Sequence, residues 1–192
     1  MASAGISHAR DCGESVCEKE SMTQLKDHPI MITLSDAIAG AGFLAGIVLS
    51  GRALVRQEED GKWWMYGVRP AALAESGKTV EDAFLRFRAR YQEVLFDFAE
   101  EASNFEEFKK AVERFFSEPD ADDEDERAWD NALKAIRAEG LNPPEEFSGL
   151  PRQVPESTPS RISVEQLNDA EKRFTSSDNV KDTYSFPCSL AA

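Results

Sequence analysis

From Val80 to Ala102 the apolar residues fall at Val80, Ala83, Phe84, Phe87, Tyr91, Val94, Leu95, Phe98 and Ala102. This three-and-four spacing places them on one stripe of an α-helix. Burying each large side chain is worth about 1.5–3 kcal/mol, so the stripe outweighs local propensity and requires a surface to pack on. Thr79 followed by Asp82 predicts the helix start, with hydroxyl and carboxylate covering amides that the first turn leaves without partners. Ser103-Asn104-Phe105-Glu106 has the form of a second capping box, opening a helix with Phe105, Phe108, Val112, Phe115 and Phe116 on one face and Pro119 as its stop. That aromatic face reads as core packing rather than a ligand groove. Trp129, Ala132, Leu133 and Ile136 mark a shorter helix closed by Gly140 and Pro143. The acids from Glu118 to Glu126 precede it, where carboxylates favour the positive end of a helix dipole.

Ahead of these helices the pattern changes. Ile30 to Leu34 and Phe43 to Leu49 are short apolar runs that either a strand or a buried helix satisfies, with Gly40-Ala41-Gly42 as a bend between them. Arg52 to Gln57 and Lys62 to Val68 are β-prone and flank Glu58-Glu59-Asp60-Gly61. An Asp-Gly pair between two such runs predicts a hairpin, because glycine supplies the positive φ of a tight turn. Pro70 ends the second strand or lies at its edge, lacking the N–H that a central ladder needs. A loop is then expected through Gly77. The predicted fold class is α+β: a small antiparallel sheet, its hairpin turning at Asp60-Gly61, packed on a long helix and followed by further helices and disordered tails.

The length of 192 residues allows one folded unit plus tails. Residues 1–28 mix Gly, Ser, Glu, Lys and Arg without period and are expected to be disordered, with Met22 an alternative start. The α+β domain with its helical extension is assigned to 29–140. A Pro/Ser-rich linker and tail occupies 141–192, where Ser163-Val164-Glu165-Gln166 reads as the cap of a short docking helix edged by Leu167 and Phe174. Nothing in residues 1–21 has the apolar core of a signal peptide, and Ala37 to Leu49 is too short and Gly-interrupted for a membrane span, so a cytoplasmic location is expected.

Charge narrows the partners. Asp and Glu number 36 against 22 Lys and Arg, giving a formal charge of −14. That field repels phosphate polymers, so nucleic acid is disfavoured; it either draws in a cationic protein by long-range attraction or serves only to keep the chain soluble. The three cysteines, Cys12, Cys17 and Cys188, read as reduced thiols. With His8, the first two lack the second half of any zinc motif, and neither metal nor cofactor is expected. The two histidines, His8 and His28, lie in or beside the segment read as disordered, which removes histidine-based catalysis. The carboxylates have no apolar context that would tune them for acid–base work, and no phosphate-binding glycine loop occurs. Arg86, Arg88 and Arg90 alternate with Glu81, Asp82, Glu93 and Asp97 and read as a salt-bridged helix surface. The chain is therefore expected not to be an enzyme.

Glu58-Glu59-Asp60-Gly61-Lys62-Trp63-Trp64, then Pro70, then Gly77-Lys78-Thr79-Val80-Glu81-Asp82-Ala83 resembles the HicB-like antitoxin family, as an atypical member. The resemblance spans roughly residues 44 to 95. It implies a partial RNase H-like layer of antiparallel strands against a helix, without a nuclease metal site. Gly61, Pro70, Gly77, Thr79, Glu81 and Ala83 match the family motif and would be structural. Members neutralise a small, basic, RNA-cleaving toxin by covering its active surface, and often carry a DNA-binding module. No basic helix-turn-helix or ribbon-helix-helix stands out here, so DNA binding is not expected. The expected function is a protein-binding module, antitoxin-like, with an adaptor or structural role free of any toxin as the alternative. The expected contact surface comprises Glu58, Glu59, Asp60, one of Trp63 and Trp64, Leu167 and Phe174, since aromatic anchors beside charge are what interfaces favour. Strand alternation lets only one of the two tryptophans face the core. Self-association into a homo-oligomer stays open.

Overall fold

Both ambiguous apolar runs are strands, and they set the architecture. Ile30, Ile32, Leu34 and Ile38 alternate with less buried neighbours, as do Phe43, Ala45, Ile47 and Leu49. That period of two suits a sheet with one strongly apolar face. In the computed structural model, which describes residues 27–118, 124–140, 144–150, 160–167 and 183–185, β1 (His28–Gly40) and β2 (Phe43–Gln57) pair antiparallel over their length. The turn between them is Ala41-Gly42. β3 (Trp63–Arg69) and β4 (Ala74–Gly77) extend the sheet on one side, and β6 (Thr183–Ser185) joins β1 on the other. β5 (Arg161–Gln166) pairs with β2 over Ala45 to Ser50, beyond the stretch that β3 occupies. The second edge of β2 is thus shared between β3 and β5.

The hairpin turns at Gly61, whose φ is 78°. The Glu58 amide donates to the Lys62 carbonyl and the Gly61 amide to the Glu58 carbonyl, both at 2.9 Å. Two residues, Lys78 and Thr79, separate the end of β4 from helix α1 (Val80–Glu101). Thr79 Oγ1 accepts from the Asp82 amide at 3.1 Å, and Asp82 accepts from the Lys78 amide at 3.0 Å. Gly77 is required at the junction: a Cβ there would lie 2.3 Å from the Ala83 backbone nitrogen, closer than any side-chain carbon can approach. α1 and α2 (Phe105–Ser117) cover the apolar face of the sheet with Phe84, Phe87, Tyr91, Leu95, Phe108 and Val112. α3 (Glu124–Glu139) lies on the opposite face, packing Trp129, Ala132 and Leu133 against Leu54 and Val68. The α+β class is as expected, with the hairpin paired and the long helix on the sheet.

Several local expectations are corrected. The segment before Gly77 is not all loop, because Ala74 to Gly77 pair with β3. The second capping box sits one residue later: Asn104 Oδ1 accepts from the Glu107 amide, and Glu107 accepts from the Ser103 amide. Ser163 to Gln166 are strand, not helix. Ile162 and Val164 turn toward the core while Ser163 and Glu165 point away, and β2 offers them unsatisfied backbone groups where β3 has diverged. His28 is not in a disordered tail but opens β1 and is buried. The expected linker also contributes to the core, since Phe147 and Leu150 are buried beside a 3-10 turn at Glu145–Phe147. Phe147 meets His28 edge-on at 5.2 Å between ring centres and Trp63 at 6.0 Å. The expectations for residues 1–26 (disorder, Met22, Cys12, Cys17, His8), for Cys188 and for Phe174 fall outside the described residues.

An ion pair within the apolar layer was not anticipated. Asp36 faces α1 between Leu34 and Ile38, and its Oδ1 accepts from Arg88 Nη2 and Gln92 Nε2, each at 2.8 Å. The two charged side chains are only 6% and 14% exposed, so their pairing fixes where α1 lies along β1.

If Phe147 is a core residue, Phe147→Ala should destabilise the protein by about 3–5 kcal/mol, read as a lower urea midpoint at unchanged slope. A linker residue would change stability by less than about 0.5 kcal/mol.

Candidate protein-contact surface

β3 separates its tryptophans by alternation. Trp63 turns to the helix side and packs against His28 and Phe147, whereas Trp64 turns to the other face. There Trp64 stacks on Tyr66, with ring centres 5.8 Å apart and planes 12° from parallel. Register places Arg56 of β2 across from Trp64 and Leu54 across from Tyr66. The Arg56 guanidinium lies 5.8 Å from the Tyr66 ring centre and is held by Asp27, a hydrogen bond that keeps it firmly charged. Tyr66 donates its hydroxyl proton to Glu58 Oε1 at 3.1 Å. Burial, followed by that bond to a carboxylate, pushes the Tyr66 hydroxyl up to about 12.

The acidic turn caps this aromatic pair. Glu59 and Asp60 are exposed, and Asp60 accepts from the Lys62 amide at 2.9 Å while pairing with Lys62 Nζ at 2.9 Å. The Lys62 contact holds the Asp60 carboxyl below its ordinary value. The result is a half-buried aromatic pair, Trp64 and Tyr66, bordered by Glu58, Glu59 and Asp60.

α3 bounds the surface on its other side. A bulge in β3 sets Arg69 opposite Arg52, and both guanidinium groups reach Glu126 Oε1, at 2.9 and 3.0 Å. The Arg69 hydrogen bond holds the Glu126 carboxyl below the usual range. Arg52 also stacks over Trp129, 5.0 Å from its ring centre. This pins the acidic first turn of α3 to the sheet beside Tyr66.

Leu167 belongs to a separate place. Its amide donates to the Leu44 carbonyl at 2.8 Å, and its side chain lies over Gly46. It borders a groove of about 500 Å³ on the same sheet face, lined by Ser35, Ala37, Val48, Ser163 and Glu165, with Arg88 and Asp36 reaching its edge. Arg56 and Gly46 are ten positions apart on β2, up to about 33 Å along an extended strand, and α3 packs between them. The structure therefore brings together Glu58, Glu59, Asp60 and Trp64, packs Trp63, partly buried, against the core on the other face, and seats Leu167 at the far end. Gly61, Pro70, Gly77, Thr79 and Ala83 serve the turn, the strand end, the helix junction, the helix cap and the buried helix face, and Glu81 lies in the first turn of α1. Sequence reading missed Tyr66 and Arg56, although both have the parity of Trp64 in the hairpin register.

Among the described residues, no three His, Cys, Asp or Glu side chains converge as metal ligands, and no helix is long and apolar enough to cross a membrane. Fold and site define an α+β protein with an aromatic and acidic patch at the sheet end. No family model, curated protein or solved structure matches the chain.

Because the Tyr66 value is raised, its stabilising contribution is complete below pH 10, the ordinary tyrosine value, and is lost as pH climbs through about 12. Ultraviolet titration of tyrosinate should show one late-ionising tyrosine, and Glu58→Gln should bring it back toward 10. A late step unaffected by Glu58→Gln would show that the Glu58 bond contributes little.

Proposed function

We infer that this chain is a non-catalytic protein-binding module, antitoxin-like and cytoplasmic, that neutralises a basic partner protein by covering its active surface. The observation that carries the reading is the half-buried Trp64–Tyr66 stack, on the sheet face that α3 covers only in part, directly beside Glu58, Glu59 and Asp60. A flat aromatic pair offers a large contact area at low conformational cost, and aromatic residues dominate the energetic centres of interfaces. The adjoining carboxylates attract lysine and arginine, and the overall charge of −14 speeds encounter with a basic protein. The same field opposes a direct role on DNA. The HicB-like resemblance of the turn, Pro70 and the Gly77-to-Ala83 helix start supports the antitoxin form of the reading, with the toxin as a small basic ribonuclease.

The test immobilises the full chain, passes over it a lysate of the source cells, and assays the retained protein for RNA cleavage with and without added chain. The expected outcome is retention of one small basic protein whose RNA cleavage the chain suppresses. Trp64→Ala, and Glu58→Gln with Glu59→Gln and Asp60→Asn, should each weaken suppression at least about tenfold. Retention of nothing, or equal retention by every variant, overturns the reading. A retained protein that cleaves no RNA overturns the antitoxin form and leaves an adaptor.

A further inference from the structure

We propose that the outer face of α1 is a self-association surface on which a second copy of this chain docks antiparallel, across a twofold axis near the helix centre. The starting observation is Leu85 and Phe96, which are 59% and 50% exposed although both belong to the helix that carries much of the core. Single exposed apolar residues are ordinary, but these two are eleven positions apart and Ala89, also exposed, lies between them. At 3.6 residues per turn the three fall within about 40° of one another, directed away from the buried stripe of Phe84, Phe87, Tyr91 and Leu95. Spacings of four and seven along such a stripe match the seam of paired helices.

Charge selects the occupant. The stripe is flanked on one side by Arg86 toward its N-terminal end and by Glu93 and Asp97 toward its C-terminal end, Arg86 pairing with Asp82 and Glu93 with Arg90 within the helix. Turning a second α1 antiparallel about a point between Arg90 and Tyr91 sets Leu85 against Phe96 of the second copy. The same operation sets Arg86 beside Glu93 and Asp97 of that copy, and each contact occurs twice by symmetry. A twofold interface demands this kind of self-complementarity, which a parallel pairing would replace by arginine against arginine. Beyond the central turns, Asp82 meets Glu100 of the second copy, and like charges confine the apolar contact to the stretch from Leu85 to Phe96. Twelve residues span about 18 Å of helix, a small interface of the kind that gives weak, reversible dimers. This inference stands apart from the partner reading, because α1 lies on the opposite sheet face from Trp64.

The test is sedimentation equilibrium of the full chain from about 1 µM to about 1 mM, concentrations spanning the usual range of weak association. The expected result is a monomer–dimer equilibrium with a Kd on the order of 100 µM. Leu85→Glu with Phe96→Glu should leave only monomer while the far-ultraviolet dichroism is unchanged, since both side chains are exposed. Arg86→Glu should weaken the dimer at least about tenfold, and adding Glu93→Arg with Asp97→Arg should restore it. A wild-type chain that stays monomeric throughout overturns the proposal. So does a dimer indifferent to the apolar pair, and a charge reversal that the second reversal does not rescue refutes the antiparallel register.

Discussion

The whole arrangement depends on β2 remaining a single strand while its partner on one edge changes. β1 accompanies it from Phe43 to Val55, but β3 pairs with it only from Arg52 to Gln57 and β5 only from Ala45 to Ser50. The change of partner falls at Gly51, where a Cβ would lie 2.1 Å from the Arg69 carbonyl oxygen. A residue with a side chain would force β3 away from β2, and with it the bulge that aims Arg69 at Glu126. Because the backbone period stays intact across this point, every odd-numbered residue of β2 keeps facing α1 and α2, and every even-numbered one keeps facing α3 and the groove. The two sides of the molecule are therefore set by parity along one strand.

Parity also accounts for what the sequence made legible. The Asp60-Gly61 turn, the stripe of α1 and the Thr79 cap are encoded within a few residues each, so local rules suffice. The separation of Trp63 from Trp64 follows from alternation once the hairpin register is known. The lengths of β1 and β2 were harder, because Ile30–Leu34 and Phe43–Leu49 are short runs whose strand character becomes definite only when they are seen to pair.

The features that escaped are held by contacts distant in sequence. Ser163-Val164-Glu165-Gln166 has the residues of a helix cap, yet a vacancy on the edge of β2, more than a hundred positions earlier, makes it a strand. Alternate backbone groups of this edge strand gain a partner on β2 and Val164 gains a place in the core, which an isolated, marginal helix could not match with tertiary packing of its own. Phe147 sits in a proline-rich stretch that composition marks as linker, and its burial depends on His28 and Trp63 leaving room at the open end of the sheet. Asp36 carries no local sign of being inward, because a carboxylate in an apolar alternation looks like an interruption until Arg88 and Gln92 arrive from α1.

That buried carboxylate bears on how the two faces of the molecule can serve different contacts. Apolar packing alone tolerates sliding of a helix along a strand, since one methyl-rich neighbour replaces another at modest cost. A buried charge does not, because moving Arg88 by one turn would break its hydrogen bond to Asp36, a carboxylate only 6% exposed. The Asp36–Arg88 pair on one face and the Glu126–Arg69–Arg52 cluster on the other thus lock α1 and α3 to the same sheet from opposite sides. With both helices registered, the outward stripe of α1 and the Trp64–Tyr66 patch beside α3 hold fixed positions relative to each other. Occupying one need not disturb the other, which is the physical condition for a small domain to associate with itself and with a different protein at once.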